Sequence, residues 1–154
     1  MCLLVGHAAR PGPALVQAFA EEFYVDEQAI QRAIRQHSGF NLIFLATMYK
    51  VDVFLPKNDA WAQEYFDRCL QLPLLPGEAS SARNLASAET IVLQKLLWFK
   101  KGGSVSEKQW NDILGVLKVQ GGRLDEAYLR QWASTLGVSE LLNRAISETT
   151  PKTS

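Results

Sequence analysis

The sequence predicts an α+β fold, in which a small mixed sheet with flanking helices is followed by a helical C-terminal lobe. Residues 40–55 alternate with period two in two successive runs, which is typical of a β-hairpin. After a stretch rich in Pro, Gly and Ser at residues 72–83, apolar residues recur at helical spacing to the C-terminal end. The 154 residues, 47% of them apolar, suffice for one ordinary domain or two small lobes.

Two helices and a short strand are predicted before the hairpin. Pro11 and Pro13 suit the first turn of a helix, where a missing N–H costs nothing. The segment Phe23–Val25 is aromatic and β-branched, as expected of an edge strand. Asp26 can cap the second helix, and Gly39 suits its exit.

The hairpin is predicted to turn near Thr47 and Met48 and to end at Pro56. Both of its faces are largely apolar, which predicts a covered pair of strands in the interior of the sheet. A further helix with an aromatic face follows, and Asn58 can cap it.

Helices fill the rest of the chain. The first starts at Ser87 and runs to about Phe99. Ser106 forms an S-x-x-Q capping box for the second, while Asp125 and Ser139 can cap the last two. We therefore expect an α/β lobe over residues 1–75, a linker over 76–86 and a helical lobe over 87–148.

Composition excludes several classes of protein. The 16 basic and 16 acidic side chains and a pI near 6.7 give no strong nucleic-acid signal. No apolar run is long enough to cross a bilayer, and no segment is typical of a signal peptide. Cys2 and Cys69 have neither metal-ligand spacing nor a framework, which favours reduced thiols in a cytoplasmic protein. His7 and His37 also lack ligand spacing, and His37 fits a structural role at a helix end.

Asp52 interrupts the apolar pattern of the second hairpin strand. A carboxylate in a covered strand needs a partner, a cation or a metal ion, because burial removes its hydration. The alternative is an acid at the rim of the strand, paired with Lys50 or with an arginine.

Lys95 interrupts the pattern of the helix that starts at Ser87. On a helical wheel it falls at the centre of an apolar stripe formed by Ala88, Ile91, Val92, Leu96, Trp98 and Phe99. Its stem can lie along apolar surface with the ammonium at an edge. Alternatively, the helix packs over the hairpin and presents the ammonium to an anion or to Asp52. Glu89, Lys100 and Lys101 lie off this stripe and are expected in solvent.

Two stretches carry a family resemblance: FNLIFLATMYKVDVFLP, and ASAETIVLQKLLWFKKGGSVSEKQWNDILGVL. The hairpin with its inner aspartate, the A-S-x-E-x-x-x-x-x-K helix and the following S-x-x-Q-x-x-D-I segment resemble the later part of a bacterial nucleotidyltransferase-fold family. That family is related to the toxins of type IV toxin–antitoxin systems. The resemblance extends from about Leu3 to Ile146.

The resemblance implies Mg²⁺-dependent transfer of a nucleotidyl group from an NTP to a hydroxyl acceptor. In such enzymes a Gly-Ser motif holds the phosphates, and a D-x-D strand and a third carboxylate hold two Mg²⁺ ions that clamp the attacking and leaving oxygens. By position, Asp52 is the third carboxylate, with a catalytic and metal-binding role, and Lys95 is a lysine assigned to the nucleotide phosphates.

The chain departs from the family at its N-terminal end. No Gly-Ser or D-x-D motif precedes the hairpin, and MCLLVGH resembles a D-x-D strand entered halfway, with Met1 at the middle position and Cys2 at the second aspartate. We expect a truncated or a degenerate family member that binds no Mg²⁺ by itself, since one carboxylate is a poor site for that ion.

Three interpretations of function remain open. The family chemistry persists with parts supplied elsewhere; or the chain is a non-catalytic, protein-interaction or antitoxin-like module; or it has no selected role. Loss of the family's first helix and strand would expose a sheet edge and apolar surface, from which we expect a homodimer or larger species.

Overall fold

The computed structural model of the chain describes residues 2–4, 11–57, 59–73 and 82–150. The chain forms two compact units, residues 1–66 and residues 67–154. Both the sheet and the helices expected from the sequence are present, so the α+β class is confirmed.

The first unit contains a four-stranded mixed sheet and helices. Its elements are β1 (Cys2–Leu4), α1 (Pro11–Phe19), β2 (Phe23–Val25), α2 (Glu27–Gln36), β3 (Gly39–Phe44), β4 (Tyr49–Phe54) and, at the boundary, α3 (Ala60–Asp67). The strand order is β1-β4-β3-β2, with β1 parallel to β4 and the other pairs antiparallel. The β3–β4 turn passes through Met48, whose φ of 56° is left-handed. The predicted hairpin and its turn are confirmed.

Alternation along the hairpin places one face of the sheet against the helices. Ile30 and Ala33 of α2 are buried there, together with Phe40, Leu42, Val51 and Val53 of the hairpin. On the other face Asn41 and Lys50 are exposed and Asp52 is half-buried. The expectation that both hairpin faces are covered is therefore wrong, because the apolar residues of the second face, such as Ile43, remain partly exposed.

The second unit starts with a two-stranded antiparallel ribbon of β5 (Leu70–Pro73) and β6 (Ala82–Leu85). The expected division into lobe, linker and helical lobe needs correction, because the boundary lies between Phe66 and Asp67. Residues 82–85 of the expected linker form a strand, since they pair with β5. Residues 74–81 lie outside the described residues.

Four helices complete the second unit: α4 (Ala88–Lys101), α5 (Glu107–Gln120), α6 (Glu126–Thr135) and α7 (Ser139–Thr149). Helix α5 packs on α4 and α7, and α6 packs on the same two helices. The fully buried side chains between them include Leu93, Leu96, Ile113, Leu129 and Leu142.

Capping positions read from the sequence largely agree with the structure. Ser87, Ser106 and Asp125 each accept a hydrogen bond from the backbone N–H three residues later. Ser139 is wrong as a cap, because it is already the first helical residue of α7. Asn58 lies outside the described residues, and the carboxylate of Asp59 caps α3 by accepting from the Ala62 N–H at 2.9 Å.

Candidate functional site

Asp52 lies in the second half of β4, between two neighbouring strands. In backbone register it stands opposite Cys2 of β1 and Asn41 of β3. Its side chain is 44% exposed, and its Oδ1 lies 3.3 Å from the Lys50 ammonium, two residues earlier on the same face of β4. The structure thus shows the ion pair with Lys50, which at this exposure contributes at most about 1 kcal/mol.

The surroundings of Asp52 do not fit a Mg²⁺ site. Mg²⁺ requires octahedral coordination, which proteins usually supply through carboxylate oxygens and water. The register positions on either side of Asp52 carry a cysteine and an asparagine, and the Lys50 ammonium, 3.3 Å from Oδ1, repels a cation. Over the described ranges, no three His, Cys, Asp or Glu side chains cluster as metal ligands.

Lys95 lies at the edge of the buried stripe of α4. The stripe is centred near Leu96, which has no exposed surface, whereas the Lys95 side chain is 28% exposed. The prediction that Lys95 lies at the centre of the stripe is wrong. Leu93, which lies on the far side of Leu96 from Lys95, is also completely buried. The buried arc is therefore rotated away from Lys95 and Ile91.

The ammonium of Lys95 donates to the carboxylate of Asp112 on α5, with 2.9 Å between Nζ and Oδ2. Asp112 belongs to the S-x-x-Q-x-x-D-I segment, so this pair joins the two helical motifs of the resemblance. A phosphate at Lys95 would have to compete with a carboxylate already in contact with the ammonium.

The Lys95–Asp112 pair lines a groove of about 670 Å³ that lies entirely within the second unit. Its walls come from β5, α4 and α5, and its apolar lining includes Leu70, Leu72, Ile91, Val116 and Val119. The groove therefore combines one neutralised ion pair with a mainly apolar wall.

The prediction that Glu89 is exposed to solvent is wrong. It was expected in solvent, but it is only 9% exposed, and its carboxylate accepts from the backbone N–H of Asp125 at 3.1 Å. Burial alone would raise the pKa of Glu89, but hydrogen bonds from backbone N–H groups and Ser87, with the nearby Arg68 guanidinium, outweigh burial and lower the pKa.

Arg68 connects this carboxylate to α6. Its guanidinium is 3.7 Å from the Asp125 carboxylate and lies over the ring of Tyr128, 3.8 Å from the centroid. Nothing local in the sequence indicated Arg68 as a neighbour of Glu89.

The surroundings of His37 and Cys69 fit structural roles. His37 ends α2 with a left-handed φ of 46°, and its Nδ1 is 3.3 Å from the Pro56 carbonyl oxygen. Burial raises the pKa of the Cys69 thiol, which disfavours the thiolate that nucleophilic catalysis needs. His7 and Met1 lie outside the described residues.

Comparison with protein-family models, with curated proteins and with solved structures finds no match. Among the described residues, no helix has the length and apolar character needed to cross a membrane.

Proposed function

We propose that this chain is a nucleotidyltransferase-like protein, related to the toxins of type IV toxin–antitoxin systems, that does not itself transfer nucleotides. One observation carries the proposal: the parallel pairing of β1 with β4, in which Cys2 stands opposite Asp52. The resemblance assigns these two positions to the second aspartate of the D-x-D strand and to the third carboxylate. Two carboxylates that share metal ions have to stand this close.

The same register supports the proposal that transfer is lost. Two-metal catalysis uses ions held about 4 Å apart by several converging carboxylates. In this chain Asp52 retains its carboxylate, but the opposite position is a cysteine, and Lys50 contacts Asp52.

The direct test is a transfer assay with the purified chain, radiolabelled ATP, CTP, GTP or UTP, and Mg²⁺. We expect no incorporation of label into protein or RNA acceptors, and the same result for Asp52→Ala. Incorporation by the unmodified chain that disappears in Asp52→Ala would contradict the proposal and restore the enzyme hypothesis.

A gain-of-binding variant tests the proposed relationship. Cys2→Asp places a second carboxylate at the register position opposite Asp52, so we expect tighter Mn²⁺ binding than in the unmodified chain or in Cys2→Ser. Adding Asp52→Ala to Cys2→Asp should remove the gain. Equal Mn²⁺ affinity in all four proteins, measured by electron paramagnetic resonance, would mean that the two positions do not form the remnant of a metal site.

A second candidate function is protein interaction, and the groove beside Lys95 favours it. Its lining residues Leu70, Leu72 and Val119 are 45–70% exposed, and exposed apolar clusters are typical of contact surfaces. This candidate and the first are compatible, because they use different units of the chain.

A further inference from the structure

The ribbon of β5 and β6 has one apolar face, and that face borders the groove beside Lys95. Leu70 and Leu72 line the groove, whereas Gln71 between them does not, because alternate residues of a strand point to opposite faces. In register Leu85 of β6 stands opposite Leu70 and therefore shares its face. The ribbon is thus amphipathic, and its leucine face is directed towards the groove.

In the described form this leucine face remains largely in water. Leu70 is 51% exposed, Leu72 is 45% exposed and Leu85 is 37% exposed, while Val119 on the α5 wall of the groove is 70% exposed. Water is a poor environment for apolar side chains, and two antiparallel strands by themselves are at best marginally stable. The ribbon and α5 therefore present apolar surfaces to the same open groove of about 670 Å³.

The end of the ribbon nearest the helices is fixed on both strands. Arg68, two residues before β5, lies over the Tyr128 ring at 3.8 Å and 3.7 Å from the Asp125 carboxylate. Ser87, two residues after β6, is buried and caps α4. The first residue of β5 pairs with the last residue of β6 between these two points. A rotation about this anchored end therefore moves the opposite end of the ribbon the most.

Helix α5 has space for an approaching strand at Gly115. Glycine in the middle of a helix is destabilising, because its backbone loses the most conformational freedom on folding. A Cβ at Gly115 would meet no described atom within 4 Å, and its φ is not left-handed, so neither crowding nor backbone conformation explains this glycine. Because Gly115 lines the groove, its missing side chain leaves room on the α5 wall.

The leucine face of the ribbon is the best-placed occupant of this groove, because it is already held at the edge. A separate molecule loses translational and rotational freedom when it binds, whereas the anchored ribbon does not. Closure over Lys95 and Asp112 also leaves neither charge unpaired, since the ammonium donates to the carboxylate at 2.9 Å.

We propose that the ribbon is a strap that closes over the groove by rotating about its anchored end, so that its leucine face packs on α5 beside Gly115. Burial of the leucines favours the closed form, and loss of water around the Lys95–Asp112 pair opposes it, so the two forms lie close in free energy. In the closed form the groove offers no surface to another protein, and the strap controls access to it. The inference does not rest on the proposed function, because it needs neither Asp52 nor a nucleotide.

Double electron–electron resonance between two spin labels tests the strap in the full chain. The labels are attached at Gln71→Cys on the polar face of the ribbon and at Lys118→Cys on α5, two exposed positions that do not line the groove. Cys2→Ser and Cys69→Ser remove the other thiols. We expect two distances, that of the described open form and a shorter one. Ammonium sulfate should increase the share of the shorter distance, because sulfate strengthens apolar burial.

Two variants should remove the shorter distance. Leu72→Gln takes an apolar side chain from the moving end of the ribbon, and Gly115→Gln fills the space on α5. The matched control, Val105→Gln, should keep both distances, since Val105 is 80% exposed and lies outside the groove.

Circular dichroism establishes that each labelled variant keeps its helical content, so that loss of the shorter distance is not loss of the fold. A single distance that is the same in every variant overturns the proposal. A shorter distance that survives both Leu72→Gln and Gly115→Gln also overturns it, and so does one that Val105→Gln removes to the same extent.

Discussion

At the scale of single residues, Glu89 of the second unit is a carboxylate with only 9% of its surface exposed. A carboxylate in such a position is costly unless it is hydrogen-bonded and paired. Glu89 meets both conditions, through the Asp125 N–H and the neighbouring Arg68. It therefore connects the first turn of α4 with the start of α6, and its loss would leave a backbone donor without an acceptor.

We predict that Glu89→Ala lowers the free energy of unfolding by about 1–3 kcal/mol, because it removes the hydrogen bond that a charged carboxylate accepts from the Asp125 N–H. Urea denaturation at pH 7 measures the change. The control is Glu126→Ala: Glu126 pairs with Arg130 on the surface of α6, and its loss should cost about 0.5 kcal/mol or less. Equal losses for the two variants would contradict the special role of Glu89.

The contribution of Glu89 to the stability of the fold depends on pH. Its folded pKa lies below the unfolded value of about 4.3, so its contribution to stability is fully present above that value and is lost as the pH falls through the folded pKa. Glu89→Gln removes this titration. The stability difference between the unmodified chain and Glu89→Gln should therefore shrink below about pH 4.

At the scale of elements, Gly39 shows how the hairpin register depends on one missing side chain. Gly39 of β3 pairs with Phe54 of β4, and a Cβ at this glycine would lie 3.0 Å from both the Phe54 ring and the Val53 carbonyl oxygen. The backbone oxygen cannot move aside without disturbing the strand.

We predict that Gly39→Ala destabilises the chain by about 1–3 kcal/mol, as overpacking does elsewhere. Ser38→Ala, one residue earlier and exposed, should change stability by less than about 0.5 kcal/mol. Thermal denaturation of both variants checks the prediction. A neutral Gly39→Ala would mean that β3 and β4 can separate at this end at no cost.

The elements that could be predicted from the sequence depend on local chemistry. Ser87, Ser106 and Asp125 were correct as caps, because the donor and the acceptor are three residues apart. The Asp52–Lys50 pair was among the hypotheses for the same reason, since alternate residues of a strand share a face.

The features that could not be predicted depend on distant parts of the chain. The stripe on α4 is centred on Leu96 because α5 and α6 pack there, and a wheel contains no information on either helix. Arg68 and Glu89 are far apart in sequence, and their proximity follows only from the position of β5, β6 and α4. The pairing of residues 82–85 with β5 could not be predicted for the same reason, because a Pro- and Gly-rich stretch separates the two strands in the sequence.

At the scale of the whole molecule, the two units differ in the number of apolar side chains that are buried among the described residues. In the described part of the first unit, a buried cluster joins Ile30 and Ala33 to four hairpin residues, and partly buried apolar residues pack against it. The second unit buries side chains from α4, α5, α6 and α7, and these helices pack on one another. Small cores barely offset the conformational entropy of folding, so the larger core should be more self-sufficient.

We therefore predict that residues 67–154, expressed alone, fold into a helical unit with a cooperative thermal transition, whereas residues 1–66 alone do not. The second fragment retains the partners of Glu89, Lys95 and Asp125 described above, since Arg68, Asp112 and Asp125 lie beyond residue 66. The first fragment is of a size at which the surface buried on folding is marginal, about 60% of that exposed by the unfolded chain. Far-ultraviolet circular dichroism with thermal melting distinguishes the fragments, and Leu96→Ala in the second should lower its midpoint sharply, because Leu96 is completely buried. An unfolded 67–154 fragment would show that the helical unit needs the sheet for its stability.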